Sequence, residues 1–131
     1  MKATSYIRED FRWAHSLLEL VVQDVTPEQA DWQPPGLANP IGATYAHAVC
    51  GEDVIVRQML RNDEPLLESS WKGRTGISEP QLSADFEWAR RVQVELPVAW
   101  VLSALVISHL NNMASEISAL KGVQGVKGYP W

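Results

Sequence analysis

The sequence predicts an all-α protein, a bundle of four helices in one domain that spans residues 1–131. Two observations support this fold class. Apolar residues recur every three or four positions along several long segments, as they do on the buried face of a helix. Helix-start signals recur along the chain, and no segment alternates apolar and polar residues in the manner of a strand. A chain of this length can bury a core without disulfides.

The first helix is predicted at residues 4–24. Its apolar stripe consists of Ile7, Phe11, Ala14, Leu18, Val21 and Val25. A short helical turn is expected next, because Thr26 is a good N-cap, Pro27 suits a first turn, and Gln29 completes a capping box. The proline and glycine residues at 34–36 end that turn.

The second helix is predicted to begin with Asn39 as its N-cap and Pro40 in its first turn. It contains no internal proline up to about residue 61. Residues 62–78 are rich in turn-forming types, which predicts a loop, and Trp71 is expected to pack this loop onto the bundle.

A third helix is expected at residues 80–96 and the last helix at 99–121. Antiparallel helices need a few residues of turn between them, but residues 95–100 contain no Gly, Asn, Asp or Ser. Either the two segments form one helix kinked at Pro97, or residues are absent from the sequence near 97–99. Four helices of comparable length favour the second explanation.

Composition restricts the classes of function. The net charge is −5 and the eleven Lys and Arg residues are scattered, so nucleic acid is not an expected partner. No apolar run is long enough for a membrane span or resembles a signal peptide, and the single cysteine has no disulfide partner. We therefore expect a cytoplasmic protein without a membrane partner. Six tryptophans along the chain are expected to anchor a core or an interface between copies.

Two histidines on different predicted helices, His47 and His109, are candidate metal ligands. Side chains on facing helices of a bundle can converge on one site. One face of the last helix, which Gly122 is expected to close, carries His109, Asn112, Met113 and Glu116. A histidine on an apolar stripe can instead be a core residue that is hydrogen bonded to a backbone carbonyl.

Two imidazoles alone bind an ion weakly, so a metal needs a further ligand. The thioether of Met113 is a poorer partner for Zn or Ni than an imidazole. The nearest substitutes are Cys50, one helical turn after His47, and Glu116, one turn after Met113. Cys50 can also be a small buried hydrophobic residue, and Asn112 either donates to a substrate in a pocket beside Met113 or packs.

The chain resembles the DinB-like family, the DNA-damage-inducible four-helix bundles. The resemblance lies in residues 25–34 (VTPEQADWQP), 39–47 (NPIGATYAH) and 108–122. It implies an up-down-down-up bundle, often dimeric, in which one histidine of the second helix and two of the last, spaced i and i+4, hold Zn or Ni. His47 and His109 match two of these ligands. Met113 stands where the third would be, so the triad is degenerate.

The resemblance implies three alternative functions. The first is a vestigial or weak site for one divalent metal, Zn or Ni, at His47 and His109. The second is a metal-dependent thiol S-transferase, in which the ion lowers the pKa of a low-molecular-weight thiol that attacks a small electrophile. The third is a non-catalytic, stress-related homodimer that binds a small molecule. Met113 in the third ligand position favours the first and third alternatives.

Overall fold

The structure, a computed structural model, describes residues 2–74 and 97–131, and every regular element in these ranges is helical. We call the helices α1 (Ala3–Val22), α2 (Pro27–Asp31), α3 (Ile41–Asp53) and α4 (Val98–Val123). Helix α3 continues through wider π-type turns at Val54–Leu60, and α4 contains a similar stretch at Val101–Ile107. The all-α prediction is confirmed. The helix predicted at residues 80–96 lies outside the described residues.

Helix α2 forms where the sequence predicts a short helical turn, and α1 spans Ala3–Val22 rather than the predicted residues 4–24. The apolar stripe of α1 buries Ala14, Leu18 and Val21. At the start of α2, the Gln29 backbone N–H donates to Thr26 Oγ1 at 3.3 Å, and the Thr26 N–H donates to Gln29 Oε1 at 2.9 Å. This reciprocal capping box satisfies two backbone donors that the first turn leaves without helical partners.

Helix α3 begins one residue later than predicted. Pro40, not Asn39, is the N-cap, because its ψ of 156° is not helical and no side chain caps the first turn. After α3, the chain forms a short 3-10 turn at Leu66–Glu68, where the Leu66 N–H donates to Asp53 Oδ2 at 2.6 Å. Trp71 packs against this turn and α3, as predicted. Residues 75–78 of the predicted loop lie outside the described part of the chain.

Helix α4 starts after Pro97 rather than passing through it. Pro97 has a ψ of 134°, and its carbonyl accepts the N–H groups of Trp100 at 2.9 Å and Val101 at 3.1 Å. The alternative of one helix kinked at Pro97 is therefore wrong, because the backbone there is extended. The hypothesis of absent residues also concerns positions 95 and 96, which are not among the described residues, and it stays a prediction.

The end of α4 lies further along the chain than Gly122, which the sequence suggested as its stop. Gly125, with φ of +76°, adopts the left-handed conformation. The Val126 N–H donates to the Lys121 carbonyl at 2.9 Å, and the Gly125 N–H donates to the Gly122 carbonyl at 3.0 Å. These two bonds form a Schellman motif. Gly122 is a residue of the last helical turn.

Helix α4 packs against both α1 and α3. The buried core consists of Ala14, Leu18, Val21, Ile41, Ala48, Val106, Ile107, Leu110, Ala114, Ile117 and Leu120. Lys121 near the end of α4 bonds to Val21 near the end of α1, so these helices run parallel. Thr44 near the start of α3 bonds to Glu116 near the end of α4, so these run antiparallel. The directions of these three helices agree with an up-down-down-up bundle.

Within residues 2–74 and 97–131, one helix has the length and composition that a membrane span requires. This is α4, with 26 residues and a mean hydropathy of 1.2 in its most apolar window. A helix in the core of a bundle meets the same criteria, and α4 supplies Val106, Leu110 and Ile117 to the core. The expectation of no membrane partner stays a prediction.

Candidate metal centre

Helices α3 and α4 bring the His47 and His109 rings into contact. The ring centroids are 5.0 Å apart and the ring planes are inclined by 76°. Two imidazoles that hold one ion at about 2.0–2.1 Å with a tetrahedral angle have their centroids about 5 Å apart. The observed separation therefore fits two ligands of one ion.

The surroundings of His109 favour its neutral form. Burial lowers the pKa of His109, and the charge of His47 lowers it further, whereas a hydrogen bond between the His109 ring and the His47 backbone raises it. This bond is the contact expected of a core histidine. An imidazole coordinates a metal only through an unprotonated nitrogen. Burial thus favours the neutral imidazole, which is the form that binds metal.

Gly51 makes room for the His109 ring. A Cβ atom at Gly51 would lie 3.2 Å from His109 Nε2 and 3.5 Å from its Cδ2. Sequence reasoning did not assign Gly51 to the site. One signal was available, because glycine inside a helix costs about 1 kcal/mol relative to alanine and often marks a close approach.

Two contacts across α3 and α4 define how the helices align. Thr44 Oγ1 lies 3.4 Å from Glu116 Oε1, and Gly51 lies against His109. The residue numbers of each pair sum to 160, as expected for two antiparallel helices in constant register. The same register sets His47 level with Met113, which follows His109 by four residues and is half-buried against the core. His109 lies level with Gly51, one helical turn nearer the start of α4, so His47, His109 and Met113 lie within one turn of one another.

A sequence model of the DinB superfamily matches residues 10–114, which is most of the chain. The chain belongs to the DinB superfamily. The match includes His47, His109 and Met113, and it agrees with the all-helical fold. No curated protein and no solved structure matches this sequence.

The other predicted donors of this DinB-superfamily chain lie in different surroundings. Cys50 is buried against Leu67 and Trp71, and burial, with the charge of Asp53, raises the pKa of its thiol. A protonated thiol is a poor metal ligand. Glu116 is exposed and accepts the bond from Thr44, and Asn112 is exposed as well.

Among the described residues, no three His, Cys, Asp or Glu side chains form a group that could hold a metal ion. Neither Cys50 nor Glu116 therefore completes a three-donor group with His47 and His109. Two imidazoles and a thioether therefore offer fewer suitable donors than the three-imidazole Zn or Ni site that the DinB resemblance implies.

A separate apolar groove of about 600 Å³ lies towards the start of α4. Its described lining includes Ile7 and Phe11 of α1, Val56 after α3, and Val98 and Leu102 of α4. Asn112 and Met113, which we predicted to line a pocket, do not belong to this groove.

The third histidine of the chain pairs with a carboxylate. His15 Nε2 lies 3.1 Å and 3.0 Å from the two carboxylate oxygens of Glu52, and its ring centroid lies 4.7 Å from that of Phe11. This pair joins α1 to α3. Because His15 already has a polar partner, it is a suitable control for experiments on the other two histidines.

We expect Gly51→Ala to disturb the His109 ring. The new methyl group needs a few tenths of an ångström of space, so the His109 ring must shift. Because metal coordination tolerates only small displacements, the affinity for Zn should fall by roughly tenfold or more. Gly122→Ala is the matched control, because nothing lies within 4 Å of a Cβ at that helical glycine. It should gain up to about 1 kcal/mol of stability and bind Zn like the wild type. Chelator-competition titrations and thermal unfolding measure both properties; equal Zn affinity in the two variants would contradict the contact.

Proposed function

We propose that this protein is a metal-binding member of the DinB superfamily whose ligands are His47 and His109, and that it binds Zn or Ni weakly. The observation that carries the proposal is the 5.0 Å separation of the two ring centroids on facing helices. Ligation by side chains from different helices is the usual design of metal sites in bundles.

Weak binding follows from the donor set. Zn sites in proteins have three or four protein ligands, and two imidazoles supply only part of that shell. Met113 offers a neutral thioether, which Zn and Ni accept poorly. The Cys50 thiol has a raised pKa and packs against Leu67 and Trp71 instead.

A weakly held ion favours a non-catalytic binding protein over a thiol S-transferase. In the transferase mechanism, the ion must stay bound while it holds a thiol as thiolate.

Exposed aromatic side chains at Tyr6, Trp13 and Trp100 support the homodimer that the resemblance implies. Sedimentation of the wild type tests this part of the proposal, and a purely monomeric protein at micromolar concentration would contradict it.

The metal proposal is tested with protein that carries no histidine tag, titrated with Zn and Ni in competition with a chromophoric chelator. We expect saturable binding that dialysis against metal-free buffer reverses. His47→Ala should abolish it, because a single imidazole remains. His15→Ala is the control and should bind like the wild type, since His15 pairs with Glu52. Binding that survives His47→Ala would overturn the ligand assignment, and stoichiometric metal that survives dialysis would overturn the weak-site proposal.

A further inference from the structure

We propose that His47, His109 and Met113 form a site for Cu(I). This inference rests on the ligand pair of the proposed function and names a cation that suits all three side chains. Neutral thioether sulfur is a soft ligand for Cu(I), whereas the protein ligands of Zn are thiolates, imidazoles and carboxylates. Met113, which weakens a site for Zn or Ni, is therefore a suitable ligand for Cu(I).

The register of α3 and α4 sets the three residues within one helical turn of one another. Met113 follows His109 by one helical turn, so the two side chains project from the same face of α4. The contacts of Thr44 with Glu116 and of Gly51 with His109 set His47 opposite Met113. A methionine side chain has three rotatable bonds, so its sulfur can adjust to an ion between the two rings.

The charge of the site also favours a monovalent ion. None of the three side chains is anionic, so nothing in the ligand set neutralises a bound cation. The cost of transferring an ion from water into a low-dielectric interior rises with the square of its charge, about fourfold from +1 to +2. Glu116, one turn beyond Met113, is exposed and bonded to Thr44. A partly buried, neutral set of two imidazole nitrogens and one thioether sulfur is therefore better matched to Cu(I) than to Zn or Ni.

The thiol of Cys50 is the main competitor, because thiolates bind Cu(I) as well. Cys50 is on the same helix as His47 but packs with Leu67 and Trp71. Its raised pKa disfavours the thiolate. A Cys50→Ser variant therefore separates binding at the proposed site from binding at this thiol.

The test is an anaerobic titration of metal-free protein with Cu(I), in competition with a chromophoric Cu(I) chelator, together with X-ray absorption at the copper edge. We expect one Cu(I) per chain with nitrogen and sulfur scattering. Met113→Leu, a change of similar volume, should lose the sulfur scattering and weaken Cu(I) binding at least about tenfold, as expected when one of three ligands is lost. Circular dichroism and thermal unfolding verify that this variant is folded.

The variants separate failure of this inference from failure of the proposed function. Met113→Leu should leave the weak Zn binding unchanged. His47→Ala should remove the binding of both Zn and Cu(I), and Cys50→Ser should leave the binding of both ions intact. Unchanged Cu(I) binding in Met113→Leu, or its loss in Cys50→Ser, would overturn the copper site while leaving the divalent proposal intact. A different pair of results would overturn the proposed function instead. In that case Met113→Leu loses Cu(I) binding, but His47→Ala still binds Zn like the wild type.

Discussion

Replacing Met113 by histidine should turn a weak divalent site into one that keeps Zn or Ni through dialysis. The variant supplies a third imidazole one helical turn after His109 and level with His47. Three imidazoles with an open fourth position form a standard Zn ligand set. We expect the affinity for Zn to rise at least about a hundredfold, which corresponds to roughly 3 kcal/mol.

The same substitution should reverse the metal preference. If Met113 selects Cu(I), Met113→His gains affinity for Zn and loses the copper–sulfur scattering of the wild type. Chelator-competition titrations with each metal measure both changes. The double variant His47→Ala/Met113→His is the control and should return to weak Zn binding, because it again has two imidazoles. A single variant that binds Zn no better than the wild type would mean that position 113 does not face the histidine pair.

Removing the Lys121 side chain should cost more stability than other lysine substitutions, about 2–4 kcal/mol for Lys121→Ala. Lys121 is only 2% exposed, and its ammonium group donates to the Val21 carbonyl at 3.1 Å and to the Asp24 carboxylate. The Val21 carbonyl belongs to the last turn of α1, where the Val25 N–H donates to Val22 instead. Lys121 thus satisfies a carbonyl at the helix end and places a positive charge there.

Urea denaturation of three variants tests this role. Lys121→Met keeps most of the apolar stem and should lose less stability than Lys121→Ala. Lys127→Ala, at an exposed lysine of the C-terminal tail, is the control and should stay within about 0.5 kcal/mol of the wild type. Equal stability of Lys121→Ala and Lys127→Ala would show that the buried lysine does not join α1 to α4.

The same contact makes stability depend on pH in the acid range. The hydrogen bond from Lys121 is the main cause that lowers the pKa of Asp24. A carboxyl group whose pKa is lower in the folded state stabilises the fold above its unfolded pKa, and this contribution is lost as the pH falls through the folded value. Stability of the wild type should therefore decline below about pH 4, and Lys121→Met should decline less over that range.

The local sequence pattern was sufficient to predict helices α1 and α2. The stripe of Ala14, Leu18 and Val21 and the capping box of Thr26 and Gln29 depend on residues within one or two turns of each other, so the sequence predicts them directly. The ends of the helices were less accurate. Gly122 and Gly125 are equally good stop signals in sequence, but Gly125 forms the left-handed cap after α4 ends at Val123, so Lys121 is still helical where it meets Asp24.

The sequence also determined the candidate ligands, because the order and spacing of His47, His109 and Met113 are visible without coordinates. Only the packed structure decided which groups meet. The 5.0 Å between the two rings, the space that Gly51 leaves for His109, and the bond between Lys121 and Val21 join residues that are 58 or more positions apart. Such contacts depend on the register and direction of whole helices, which follow from how their apolar faces pack together rather than from any local signal.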